Sequence, residues 1–220
     1  VKLNGVRAVL FDLDGTFADT APDLARALNR VRAERGLPPL PPEVARPWTS
    51  SGARGLLKVG FGITPHDADY GVLREKFLDF YEEDLCVETR IFDGVPELIA
   101  RMRARKLPWG IVTNKGKRFT EPLLRLLAVD HLAACAVSGD STPHTKPHPA
   151  PLLLAAELLA LPPAECLYVG DDLRDAQAAR AAGMRFVAAG WGYLGESGDP
   201  NAWNADAVLE HPRDVLELLS

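Results

Sequence analysis

Two carboxylates, Asp12 and Asp14, stand two residues apart at the end of the hydrophobic run 6–11, and Gly15 and Thr16 follow at once. If that run is a strand, side chains i and i+2 point to one side, so both acids face the same way. Like charges that close repel unless a cation or a proton lies between them. The pair suits holding a cation or exchanging a proton, and taken alone it also fits a plain turn cap. Three later segments place further polar groups beyond apolar runs. "PWGIVT" ends at Thr113 and leads into Asn114 and Lys115. The proline-rich "PHTKPHPAP" carries Lys146. "CLYVG" opens into Asp171, Asp172 and Asp175.

The pattern between these segments says how they meet. From Arg90 onward helical and strand periodicities alternate: helix 94–106, strand 108–113, helix 117–127, strand 134–137, helix 149–160, strand 166–169, helix 173–182 and strand 185–188. Gly183 suits a helix C-terminus. A last strand 205–209 and helix 212–218 close the series. Such alternation implies an α/β fold, a Rossmann-like parallel sheet with helices on both faces. Open sheets bind ligands beyond the carboxyl ends of their strands, which gathers the residues named above at one edge.

Residues 18–88 read differently. Helices are expected over 22–35, 42–59 and 66–84, with no strand, and "GLPPLPPEV" is a stiff connector. Thr20 and Asp23 have the spacing of a capping box. The expected organisation is a core of residues 1–17 and 89–220, with a small α-helical cap, 18–88, inserted after the first strand.

Composition sets outer bounds. The chain has 220 residues, is 47% hydrophobic and carries a net charge of −5. Nothing there favours a nucleic-acid partner. No apolar run approaches the roughly 20 residues of a membrane helix. The basic stretch "RMRARK" reads as a solvated helix end, where the dipole favours cations. Cys86, Cys135 and Cys166 lack CxxC spacing, so a reducing compartment is expected, most simply the cytoplasm. Cys135 and Cys166 read as small buried hydrophobes.

"DLDGT", a strand ending in "VTN", "KPHP" and "VGDDLRD" occur in this order, each at a predicted strand end. Together they resemble the haloacid dehalogenase superfamily of aspartate-nucleophile phosphotransferases along nearly the whole chain. The phosphoglycolate phosphatase-like branch is most similar. The tail "GYLGESGDPNAWNADAVLEHP" and the "SGAR" turn look more like its N-acetylmuramic acid 6-phosphate phosphatases. The resemblance implies Asp12 as nucleophile and metal ligand, forming an aspartyl-phosphate. It implies Asp14 as general acid and base, with its backbone carbonyl on the metal, and Asp171 completing a Mg²⁺ site. Thr113 and Lys146 would hold the phosphoryl group, with Asn114 beside them. Asp175, one helical turn after Asp171, would orient Lys146 or a metal-bound water. Asp172 is either a supporting group near the metal or a helix N-cap, and the first is preferred.

The chemistry needs such groups. A carboxylate attacking an anionic phosphate meets roughly 4 kcal/mol of repulsion for unit charges 4 Å apart at an effective dielectric of 20. A divalent cation between them removes it. The implied substrate is a small acidic phosphate ester, with Gly52 and Arg54 of "SSGARGLL" on the substrate side of the cap. Arg54 either grips an anion through its fork or is an exposed helix-start arginine. No membrane or nucleic-acid partner is expected, and the chain is expected to be a monomer or homodimer. Sugar phosphomutases keep both acids and stay open as an alternative. A non-catalytic binding module is disfavoured, since Asp12, Asp14, Lys146 and Asp171 are all present. Dehalogenases lack the second acid. His144 and His148 flank Lys146 without a third soft ligand, so zinc is disfavoured and His148 is read as shaping the lysine loop. Trp191 and Tyr193 either pack beside the site or touch substrate.

Overall fold

The computed structural model describes residues 2–196 and 198–219. Strand β1 (Ala8–Phe11) leads through a tight turn into β2 (Ala18–Asp19). Helices α1 (Ala21–Glu34), α2 (Pro42–Ala45), α3 (Gly52–Phe61) and α4 (Tyr70–Glu83) follow. The chain returns through β3 (Arg90–Ile91), α5 (Val95–Ala104), β4 (Trp109–Val112), α6 (Lys117–Leu126) and β5 (Cys135–Val137). Next come α7 (Ala150–Leu158), β6 (Cys166–Gly170), α8 (Leu173–Ala182), β7 (Arg185–Ala189), β8 (Ala207–Leu209) and α9 (Val215–Leu218).

Six strands form one parallel sheet in the order β5-β4-β1-β6-β7-β8. The first strand therefore sits in the interior of the sheet. Its alternate residues enter two separate cores: Val9 and Phe11 on one face, Ala8 and Leu10 on the other. That is why the run is apolar throughout rather than alternating. Phe11 is level with Ile111 of β4 and Val169 of β6, so these three strands end side by side. Helices α7 and α8 cover one face. The core on the other face continues without a break from α5, α6 and α9 into α1, α3 and α4. Phe17 fixes the turn after β1 by stacking on Trp109, 5.2 Å between centroids.

The expected α/β architecture is present, and Cys135 and Cys166 are buried and unpaired as expected. Among the described residues no helix is long and apolar enough to cross a membrane. Three local expectations are corrected. β2 and β3 pair antiparallel, Ala18 with Ile91 and Asp19 with Arg90. Two-residue strands are too short to show a period. The helix expected over 42–59 is broken by a 3₁₀ turn over Arg46–Ser51, which Pro47 opens and Gly52, at φ +57°, closes. The backbone at Gly52 is one that only glycine adopts cheaply.

Thr20 and Asp23 do not form their capping box. Thr20 donates its hydroxyl to Asp14, and the start of α1 is capped instead by Tyr193, whose hydroxyl accepts from the Thr20 and Ala21 amides. Asp23 turns to the segment entering β3. It accepts from the Val87, Glu88 and Thr89 amides and the Thr89 hydroxyl, at 2.7 to 3.1 Å, and pairs with Arg26. Burial pushes its carboxyl up, but the Thr89 hydroxyl and the Glu88 and Thr89 amides, with Arg26, outweigh burial and hold it below the usual carboxylate range.

Asp23→Asn is accordingly expected to destabilise the protein, by roughly 1–3 kcal/mol for each donor left unpaired. Because the folded value is depressed, this carboxylate's charge-dependent contribution is complete above the unfolded value of roughly 3.9. It is lost as pH falls through the lower folded value. Urea unfolding at pH 7 and pH 3 should show the gap between wild type and variant narrowing in acid. A gap of equal size at both would assign the effect to shape instead of charge.

Candidate active site

Because β1, β4 and β6 end level, the residues after them converge. Asp12 follows Phe11, Thr113 follows Val112, and Asp171 follows Gly170. Lys146 comes from the loop between β5 and α7, and its ammonium lies between two carboxylates. Its Nζ is 2.9 Å from Asp12 Oδ1 and 2.8 Å from Asp175 Oδ1. It also donates to the Val112 carbonyl and to the Tyr168 hydroxyl at 2.7 Å. Asn114 places this lysine, since its amide pairs with both the N–H and the C=O of Lys146, at 2.9 Å each. His148 accepts from the Ala150 amide at the start of α7 and lies against His144, 4.4 Å between ring centroids.

Asp12 Oδ1 also accepts from the Leu13 amide, while among the described residues no donor meets Oδ2. Asp171 accepts from the Thr16 hydroxyl at 2.8 Å and the Tyr193 amide at 2.8 Å, and Ser50 reaches it at 3.4 Å. This close approach explains Gly15, which has φ +87°. A Cβ there would stand 2.2 Å from Asp171 Oδ2. Asp14 faces Thr20 and Lys115, both on its Oδ1, at 2.5 and 3.1 Å.

Asp172 is the N-cap of α8. Its carboxylate accepts from the Arg174 amide and pairs with the Arg174 guanidinium, and its amide donates to Asp175. The N-cap reading of Asp172 is present in these contacts. The capping box also turns Asp175 toward Lys146.

Asp12, Asp14, Thr113, Asn114, Lys146 and Asp175 form the floor of a cavity of about 280 Å³, with Asp171 buried beneath it. The 3₁₀ turn and the start of α3 form the opposite wall, bringing Ser50, Gly52 and Arg54 over the floor. Arg174 joins the two walls by donating to the Ser50 carbonyl at 2.6 Å. Arg54 is exposed and has no hydrogen-bond or ion-pair partner among the described residues.

The sequence pattern of the family described as haloacid dehalogenase-like hydrolase matches residues 9–189, a span that contains every one of these floor residues. The chain belongs to the haloacid dehalogenase-like hydrolases. Among curated members, the N-acetylmuramic acid 6-phosphate phosphatase of Pseudomonas aeruginosa is 40% identical over 219 residues, covering 100% of this chain and 97% of the relative. A phosphoglycolate phosphatase of Xanthomonas campestris pv. campestris is 43% identical over 211 residues, covering 96% and 95%. Among solved structures, a predicted phosphoglycolate phosphatase from Haemophilus somnus superposes with a TM-score of 0.86 at 28% identity, over 97% of this chain and 98% of that one.

The charge balance in this haloacid dehalogenase-like hydrolase is one-sided. Asp12, Asp171 and Asp175 bring carboxylate oxygens within 4.8 Å of one another, all buried, against the single ammonium of Lys146. Burial pushes the Asp12 carboxyl up to about 7 even though Lys146 pulls it down. Burial, with Asp12 and Asp175 beside it, raises Asp171 well above its usual value. Such values report excess negative charge in a poorly solvated place. Both Asp175 oxygens are engaged, by Lys146, Tyr168 and the Asp172 amide. Asp171 is engaged on both oxygens too, by the Thr16 hydroxyl and the Tyr193 amide, so the three carboxylates together form an all-oxygen donor set, with Asp12 Oδ2 its unengaged atom, that fits a hard divalent cation such as Mg²⁺.

Sequence reasoning gave no role in this site to Thr16, Thr20, Ser50 and Tyr168, while Tyr193, read as packing beside the site or touching substrate, lies beside Asp171. They act through contacts between residues distant in the chain, or through hydroxyls that look generic in sequence. Trp191 supports the same turn, donating to the Thr16 carbonyl at 3.0 Å. Lys115 had a visible signal, a second lysine directly after a strand end.

Proposed function

We propose that this hydrolase is a Mg²⁺-dependent phosphomonoesterase that works through a phosphorylated Asp12, with residues 18–88 as a cap over a core of 1–17 and 89–220. The observation that carries the reading is Asp12 itself: one oxygen is fixed by Lys146 and the Leu13 amide, and the other is free at the floor of the cavity. Asp12 Oδ2 attacks phosphorus. Lys146, already held by four partners, offsets charge on Asp12 and the phosphoryl oxygens without having to reorganise. Thr113 sits beside it to hydrogen-bond the phosphoryl group. Asp14 gives a proton to the leaving alkoxide, then takes one from the attacking water. Mg²⁺ bound by Asp12, Asp171 and the Asp14 carbonyl would supply charge compensation for the phosphate.

At about 280 Å³ the cavity falls just below the roughly 300–1,000 Å³ of small-molecule sites, which suits a small metabolite. The names of the relatives point to N-acetylmuramate 6-phosphate or 2-phosphoglycolate, both acidic monoesters, and the tail and "SGAR" turn favour the first. Arg54, unpaired on the cap wall, is the group placed to read the substrate carboxylate. The protein is expected to act in the cytoplasm.

Phosphate release from both esters and from glucosamine 6-phosphate, which lacks the acid, tests the reading. Chelation should abolish release and Mg²⁺ restore it. Mg²⁺ should also raise the melting temperature, by the equivalent of about 2.7 kcal/mol at a concentration of 100 Kd, and Asp171→Asn should remove that rise. Full activity in excess chelator would sink the metal assignment. Isomerised sugar phosphate with little free phosphate would overturn hydrolysis in favour of a mutase.

A further inference from the structure

We propose that Lys115 is a positioning residue that fixes which oxygen of Asp14 handles the leaving-group proton, and that Tyr81 ties this lysine to helix α4. The inference rests on the acid–base reading of Asp14 given above. It starts from an asymmetry. Lys115 Nζ, at 3.1 Å, and the Thr20 hydroxyl, at 2.5 Å, both meet Asp14 on Oδ1. Among the described residues neither they nor any other donor meets Oδ2, although Asp14 lines the cavity. Two donors on one oxygen define the carboxyl's orientation and leave the other oxygen for substrate.

Lys115 is built to hold that place. Its amide donates to the Thr113 hydroxyl, and its carbonyl accepts from the Gly139 amide and the Thr120 hydroxyl. The main chain is therefore anchored at the end of β4, and the side chain is almost wholly buried. At its tip the ammonium donates to the Tyr81 hydroxyl at 3.0 Å and lies 4.5 Å from the Tyr81 ring centroid. Tyr81 is buried in α4, next to Phe119 of α6. A line of contacts thus runs from α4 through Tyr81 and Lys115 to Asp14.

The proton accounting shows what depends on this placement. In the first step the Asp12–phosphorus bond forms as the bond from phosphorus to the ester oxygen breaks, and the proton on Asp14 Oδ2 moves to that oxygen. In the second, water loses a proton to Oδ2 and attacks phosphorus, and the bond to Asp12 breaks. Both transfers need Oδ2 aimed at the same point. A misaimed acid matters most when the leaving group is a poor one, since an activated aryl oxide leaves without a proton.

The test compares 2-phosphoglycolate, an alkyl ester, with p-nitrophenyl phosphate in single turnovers at saturating Mg²⁺, where release of the alcohol reads the first step alone, because the second step is common to both esters. Lys115→Met should lower the single-turnover rate of alcohol release from the alkyl ester about 100-fold, within the roughly 10²–10⁴ that a positioned acid supplies. On the aryl ester the loss should stay below about tenfold by the same principle, with KM little changed on either. Lys115→Arg should restore part of the loss. Tyr81→Phe keeps the packing and removes only the hydroxyl. It should show the same leaving-group bias in smaller measure, and it keeps the test open if Lys115→Met does not fold. Equal loss of the alcohol-release rate on both esters, or a raised KM with that rate intact, overturns the proposal, the second result assigning Lys115 to capture of the substrate anion. A wild-type protein that releases phosphate from neither ester overturns the phosphatase reading as well.

Discussion

Asp12→Asn is expected to abolish turnover and leave a protein at least as stable as the wild type. Removing an enzyme's nucleophile costs on the order of 10⁶-fold in kcat, and an amide cannot form the phosphorylated intermediate. Stability should move the other way. Burial lifts the Asp12 carboxyl to about 7, so at pH 8 the anion is held at a cost that a neutral isostere avoids. For a carboxyl raised in this way the stabilising influence is present at low pH and lost as pH rises through the folded value. Lys146 keeps Asp175 as a partner in the variant. Single-turnover assays and thermal melts in chelator at pH 8 check both halves. Near-normal phosphatase activity in protein shown free of deamidation would falsify the assignment of Asp12. A large fall in melting temperature would show that the site depends on the charge it was thought merely to tolerate.

Lys146→Met should damage both activity and fold. The substitution keeps length and removes the one ammonium that serves Asp12 and Asp175. Taking one partner from a buried ion pair costs about 3–5 kcal/mol, because the remaining charge is uncompensated. Three buried carboxylates are left facing each other without a cation. Loss of charge stabilisation at the phosphoryl oxygens should lower kcat at least 10²–10³-fold, the approximate value of one preorganised donor. The stability deficit should shrink below about pH 6, where the raised carboxyls take up protons. Chemical unfolding across pH 5.5 to 8 measures it. A deficit independent of pH would place the damage in packing around Tyr168 instead.

The parts of the site legible in sequence are those whose position follows from strand ends. Asp12, Thr113 and Asp171 each follow a short apolar run, and the rule for parallel sheets brings such residues together. Lys146 was legible by its motif, although what holds it there, Asn114 and Tyr168, was not. The helical segment was read less well. Its break before α3 depends on Pro47 and Gly52 acting together, and β2 and β3 exist only because each finds the other. Thr20 and Asp23 show how a local rule loses. Their spacing satisfies a capping box, but Asp14 and the Val87–Thr89 amides are better partners, and Tyr193 supplies the cap from a distance of over 170 residues in sequence.

The β2–β3 ladder has a consequence for how this protein can change. Asp19 and Arg90 are paired neighbours, so the sheet meets everything between them as it would meet the loop of a hairpin. Closing a flexible loop grows more costly only slowly with its length, and here a ladder already holds the ends together. The intervening helices can be lengthened, shortened or exchanged without altering the register of β1 against β4 and β6. A transplant between relatives should be cut at these two strands and keep a tyrosine at position 81, so that new chemistry at the mouth of the cavity leaves the carboxylates at its floor where they are.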